Sequence, residues 1–135
     1  MGFVKRLVGA AIVLAVLVFG LQMLASESGE VVVVRTFDAS GGSHETRLWI
    51  VDDHGTAWLR AGQPEASWYQ RVRANPDIQV ERGGDLYEYR AFPIEGGPTV
   101  SHVNNLMFAK YGWAEQVIGI MIDRSRSVAI RLDPR

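Results

Sequence analysis

Ser67-Trp68-Tyr69-Gln70-Arg71-Val72-Arg73-Ala74-Asn75-Pro76 is the stretch whose reading decides the fold. Pro76 cannot extend a helix and Asn75 suits a helix C-terminus, so the segment reads as a short helix with a rigid stop. A spacing of four sets Trp68 beside Val72 and Tyr69 beside Arg73, which gives adjacent aromatic and cationic faces. Two uses follow. Trp68 and Val72 can anchor the helix in a core while Arg71 and Arg73 solvate its outer side, or the rings and guanidinium groups can hold a flat anionic ligand.

Outward from this helix, strand-type segments come in hairpin pairs. Arg47 to Asp52 alternates and is answered by Thr56 to Ala61 across Asp52-Asp53-His54-Gly55, and Asp77 to Arg82 is answered by Leu86 to Ile94 across Gly83-Gly84. In the first strand of the later pair Ile78 and Val80 face one way while Gln79 and Glu81 face the other, so one side is wet. Val31 to Phe37 is a β-branched run of the type buried on both faces. Pro98-Thr99 opens a helix to about Tyr111 with Val100, Val103 or Asn104, and Met107 at helical spacing. Gly112 interrupts it, Trp113 to Ile122 predicts a second, apolar helix, and Ser127 to Leu132 returns as the last strand. The apolar side of Trp113 to Ile122 suits core packing, or a greasy wall where a quinone tail enters from a membrane. The expected class is mainly β with inserted helices (α+β).

Trp68-Tyr69 followed by Arg73-Ala74-Asn75-Pro76, with Leu48 to Val51 and Val128 to Leu132 in matching places, resembles the split β-barrel of the deazaflavin-dependent nitroreductase and quinone reductase family. The resemblance covers roughly Val31 to Pro134. It implies a barrel that binds a reduced deazaflavin, or in related barrels FMN, and passes hydride to a quinone-like or nitro acceptor. It also implies that Tyr111 is the catalytic contact, a phenol donating to a quinone carbonyl or nitro oxygen; a half-buried interfacial tyrosine is the other reading of that residue. Cofactor contacts are expected at Trp68, Tyr69 and Arg71, and at Arg60, Ala61 and Gly62, where a strand ends just before the helix. Split barrels of this type often form homodimers.

The chain departs from the family in the loop before the second strand. There the family usually carries several Lys and Arg residues around a Ser-Gly pair, gripping the cofactor's phosphate and acidic tail. Here the stretch is Asp38-Ala39-Ser40-Gly41-Gly42-Ser43-His44-Glu45-Thr46-Arg47. Ser40 and Gly41 remain, Asp38, Ala39, Gly42 and His44 stand at the basic positions, and Arg47 is the clear cation left for cofactor binding. The Ser40 to Ser43 turn reads as a weak anion nest or as an ordinary glycine-rich hairpin loop. Arg124 and Arg126 supply replacement charge if the fold brings them near, and are otherwise solvated. A second expectation therefore stands beside the reductase: a non-catalytic split-barrel binding or accessory module of a membrane assembly, without cofactor.

Leu7 to Ala25 is a 19-residue run with Gln22 as its one strongly polar member, preceded by Lys5 and Arg6. A bilayer core takes about 20 such residues as helix. A cleaved signal peptide shares the charged start, but the run exceeds an apolar region of about 7 to 15 residues and Met23-Leu24-Ala25-Ser26 is a poor cleavage site. The expectation is an uncleaved, single-pass transmembrane anchor over 1–26 and a barrel domain over 27–135, outside the cytoplasm because Lys5 and Arg6 stay inside.

Beyond Lys5 and Arg6 every charged residue lies after the apolar run, so the net −1 of the chain becomes about −3 for the exported part. Such a surface does not attract nucleic acid. There is no cysteine, which removes disulfides, thiol catalysis and cysteine-bound metal. His44, His54 and His102 have no metal-ligand spacing, so no metal is expected. The absence of hydrolase and nucleotide motifs fits chemistry carried by a flavin-type cofactor.

Overall fold

The computed structural model describes residues 2–28, 30–121 and 123–135, and their side chains outside 18–29 and 118–122. Six strands form in chain order: β1 (Val31–Phe37), β2 (Ser43–Asp53), β3 (Thr56–Ala61), β4 (Asp77–Arg82), β5 (Asp85–Glu95) and β6 (Val128–Pro134). All pairings are antiparallel in the order β1-β2-β3-β6-β5-β4, and β1 also pairs with β4, with Val34 opposite Val80. This closure removes both sheet edges, which would otherwise offer unpaired N–H and C=O groups.

Turn chemistry sets the hairpins. His54 and Gly55 form the two-residue loop between Asp53 and Thr56 with φ of 51° and 82°, and the Gly83-Gly84 loop repeats that geometry at 58° and 86°. Two successive positive φ values match the right-handed twist of the strands, and glycine takes them without steric cost.

Among the described residues four α-helices accompany the strands, α1 (Gly2–Ser28), α2 (Ser67–Ala74), α3 (Gly97–Tyr111) and α4 (Trp113–Met121), with a short 3-10 turn at Arg124–Arg126. Because side chains alternate along a strand, the barrel wall has two apolar faces and the molecule has two cores. Inside, Val32, Val34, Ile50, Leu59, Ile78, Val80, Ile130 and Leu132 meet Trp68, Tyr69 and Val72 of α2. Outside, Val51 and Ala129 meet Val100, Val103, Met107 and Tyr111 of α3, flanked by Trp49 and Trp58.

Two expectations change. β1 is not buried on both faces: Val32, Val34 and Thr36 are buried, while Val31 is exposed and Val33 half-buried. The reason is that α3 lies mainly against the outer wall at β2, β5 and β6, not at β1. β2 begins at Ser43, not Arg47, because the full length of β1 pairs with it down to Phe37 opposite Ser43. That polar stretch has no apolar alternation to announce it. The predicted helix over Trp113 to Ile122 is α4, with Ile122 itself outside the described residues.

The expected anchor is helical over Gly2–Ser28, and every described side chain from Gly2 to Leu17 is exposed, among them Phe3, Leu7, Ile12, Leu14 and Leu17. Side chains of its second half lie outside the described residues. Among the described residues no helix is long and apolar enough to cross a membrane.

Candidate functional site

α2 carries three of the predicted cofactor contacts. Its Trp68 and Tyr69 are 7% and 1% exposed and sit in the inner core with Ala61. The Tyr69 hydroxyl donates to Glu95 Oε1 at 2.8 Å, and Arg71 Nε donates to the buried Thr36 Oγ1 at 2.7 Å. The helix thus turns its aromatic side into the barrel, and its remaining cation, Arg73, is exposed. Gly62 is half-buried just past β3.

Arg60 points out of the barrel, as its alternation with the inward Leu59 and Ala61 requires. It meets α4 there, donating from two nitrogens to both oxygens of Glu115, each at 2.7 Å, and to Asn104 Oδ1 at 3.1 Å. Both side chains are buried, and Arg124 donates to the same carboxylate at 3.1 Å and to the Glu115 carbonyl at 2.7 Å. This fork leaves Arg60 committed to the chain's own carboxylate. Arg126 lies elsewhere, against Glu65.

Tyr111 belongs to the outer core, so the fold does not bring it together with Trp68 and Tyr69. Its ring stacks on Trp49 with centroids 4.2 Å apart. Its hydroxyl accepts from Ile50 N–H at 3.0 Å and lies 2.5 Å from the Glu30 carbonyl and 2.9 Å from the Ile50 carbonyl. Burial pushes the phenol up to about 12. Beside it, Lys110 Nζ donates to Glu30 at 2.8 Å, and Arg82 bridges Glu30 and Asp52. Arg82 accordingly holds the Glu30 and Asp52 carboxyls below the usual range. This cluster fastens the residue where the chain leaves α1 to the barrel.

Arg47 is exposed on β2. In the loop before it, Asp38 Oδ1 accepts from Ser40 N–H at 3.0 Å, Ser40 Oγ at 2.6 Å and Gly42 N–H at 2.9 Å, while Oδ2 meets His44 Nε2 at 2.9 Å. The Ser40 hydroxyl and His44 hold the Asp38 carboxyl well below the usual carboxylate range. Arg35, on the neighbouring strand, is paired with Glu45 at 3.0 Å.

Sequence reading missed three of these groups. Asp38 shares the Asp-x-Ser spacing of Asp123-Arg124-Ser125, whose serine N–H and hydroxyl also bond the aspartate, so an Asx-type loop was legible in principle. Glu115 is an acid in an apolar helix, a hint of a buried counter-ion. The third group is the pair His54 and His102, 48 positions apart, which both reach Asp53 at 2.8 and 2.9 Å. His102 leads the causes that hold this carboxyl below its ordinary range. Among the described residues no group of three could hold a metal ion.

Two surface cavities open beside α3. One of about 460 Å³ is lined by Gly96, Gly97, Ser101, Asn104, Arg124 and Ser125 among others, and one of about 370 Å³ by Val51, Asp52, Leu106, Ala109 and Lys110. Arg124, the conditional replacement cation, lines the first, and neither is lined by Tyr111, Trp68, Tyr69, Arg71, Arg60, Ala61, Gly62 or Arg47.

No protein-family model matches the chain, and no curated protein matches it. Solved structures do. An F420-H2-dependent reductase, FDR-A, is 24% identical over 77% of this chain and 94% of that one, with a TM-score of 0.62. A putative pyridoxamine 5′-phosphate oxidase from Listeria innocua is 18% identical over 86% and 92%, with a TM-score of 0.60. HutZ, the heme storage protein of Vibrio cholerae, is 14% identical over 86% and 88%, with a TM-score of 0.62. The chain has the split-barrel fold. At these identities the likeness speaks for fold alone.

The cofactor that the resemblance implies is a deazaflavin or FMN, whose phosphate needs free donors and cations. The loop that would meet it presents a carboxylate whose own chain already uses the donors. These residues do not fit a phosphate-bearing cofactor at that loop.

Proposed function

We propose that this protein is a membrane-tethered split-barrel binding or accessory module that works without a flavin-type cofactor. The observation that carries this reading is that, Arg47 apart, the polar side chains expected to serve a cofactor or substrate are engaged by the chain itself. Arg60 is held by Glu115, Tyr69 by Glu95, Arg71 by Thr36 and Tyr111 by the Ile50 and Glu30 backbones. Recruiting any of them for a ligand costs an existing hydrogen bond or ion pair, a buried one for Arg60 and Tyr111.

The tether is α1. What supports it as a bilayer element is the sequence, the 19-residue apolar run Leu7 to Ala25, together with the exposure of every described side chain from Gly2 to Leu17, and Lys5 and Arg6 favour a cytoplasmic N-terminus. The barrel then lies on the far side, close to the membrane through Glu30. Exposed apolar groups on β5, with Leu86 and Phe92 on its outer face, support pairing with a second copy or a membrane partner.

A second reading is favoured by the fold shared with the F420-H2-dependent reductase: a deazaflavin- or FMN-dependent reductase passing hydride to a quinone-like or nitro acceptor. Exposed Arg47 is then the cation left for the cofactor. Titration of the detergent-solubilised full chain with FMN and with F420, read by cofactor fluorescence, separates the two. No saturable binding at high micromolar concentration is the expected result. Saturable binding with bound colour on purification overturns the module reading and puts the reductase first.

A further inference from the structure

Three donors of the β1–β2 loop converge on one point, as they would around an anion, and the point is a side-chain oxygen of the same loop. Ser40 N–H, Ser40 Oγ and Gly42 N–H all lie within 3.0 Å of Asp38 Oδ1, and His44 Nε2 holds the other oxygen at 2.9 Å from across the hairpin. The backbone closes on this arrangement as well: Gly41 N–H donates to the Asp38 carbonyl and Asp38 N–H to the Gly42 carbonyl, each at 3.0 Å. A Cβ on Gly42 would fall 2.8 Å from Asp38 Oδ2, so the glycine is what lets the carboxylate seat.

An ordinary aspartate turn does less. In Asp123-Arg124-Ser125 the carboxylate takes the serine N–H and hydroxyl at 3.0 and 2.6 Å, the same two bonds, and stops there. Asp38 adds a second backbone donor and an imidazole that belongs to the next strand.

We infer that Asp38 is a built-in occupant of the loop's anion cradle, standing where a ligand phosphate or carboxylate would otherwise bind. A tethered carboxylate competes at a raised effective concentration, because its attachment replaces a bimolecular encounter with a local one. An incoming phosphate also meets the carboxylate's negative charge at contact distance. The loop is therefore a closed site for oxyanions, opened by removing one side chain. This concerns the loop alone and goes beyond the module reading, which concerns the whole barrel.

The test follows the backbone amides of Ser40 and Gly42 by nitrogen-proton NMR of the full chain in detergent micelles, titrated with inorganic pyrophosphate at constant ionic strength. Wild type should show no saturable shift at millimolar concentration. Asp38→Ala and Asp38→Gly should show one, at least about tenfold tighter than any wild-type binding, since both empty the cradle and remove its charge. Asp38→Asn keeps an oxygen acceptor in the cradle without the charge, so it should bind more weakly than Asp38→Ala. Equal saturable shifts in wild type and Asp38→Ala overturn the inference, as does the absence of any shift in both Asp38→Ala and Asp38→Gly. FMN titrated in parallel keeps the two readings apart: FMN binding that leaves Ser40 and Gly42 unmoved counts against the cofactor-free module and leaves the closed cradle standing.

Discussion

Tyr111 shows how one hydroxyl ties the exit of α1 to two elements of the barrel. Accepting from the buried Ile50 N–H and donating its one proton to the Glu30 carbonyl, it pairs backbone groups of both elements. Tyr111→Phe should cost about 1–3 kcal/mol, the penalty of leaving such groups unmade, measured by urea denaturation at pH 7. Burial holds this phenol at about 12, and burial with Glu95 holds Tyr69 at about 12 as well. Raised pKa values mean that the folded state keeps protons the unfolded chain gives up. Their contribution is complete below the ordinary tyrosine pKa near 10 and is lost as pH rises toward 12. Unfolding midpoints should therefore fall across pH 10 to 12, with a shallower fall in Tyr111→Phe. Glu115 is the other residue to test, since its carboxylate is 1% exposed between Arg60 and Arg124. Glu115→Ala strands the buried Arg60 charge and should cost about 3–5 kcal/mol, whereas Arg126→Ala, at an exposed pair, should leave the midpoint where it was.

Among the elements, α2 was readable almost to the residue because Pro76 stops it and Asn75 closes it, with Asn75 N–H donating to the Arg71 carbonyl at 2.8 Å. What its sequence left open was the use of its aromatic side, which the barrel interior decides by burying Trp68, Tyr69 and Val72 together. Trp68→Ala should therefore act on stability, by about 3–5 kcal/mol in thermal or urea melts, with Arg73→Ala neutral in the same assay. The strands divide in the same way. β3 and β4 show their period and were legible with their ends. The first residues of β2 are polar and pair only because β1 lies alongside, a long-range condition that no local window contains.

At the scale of the molecule, the barrel and α1 make separable demands. The barrel closes on itself through the β1–β4 pairing and has its own core, so residues 27–135 should unfold in one cooperative thermal transition without the helix. The full chain should stay with membranes through high-salt washing, and a reporter that works only in the cytoplasm, fused after Arg135, should be silent. A fragment with a disordered spectrum would mean that the barrel needs its tether or a partner to fold.

Periodicity, turn residues and helix stops are local properties, and they sufficed for the order of elements, the two glycine-assisted hairpins and the mainly β class with inserted helices, because backbone preferences act over a few residues. The site is different in kind. Whether Arg60 meets a ligand or Glu115, 55 positions away, whether His54 and His102 share Asp53, and whether the Ser40 loop is open or filled by Asp38 depend on where the closed barrel sets side chains distant in sequence or turned toward one another in space. Charge and hydrogen-bond partners act through distance in space, and only the tertiary structure sets those distances.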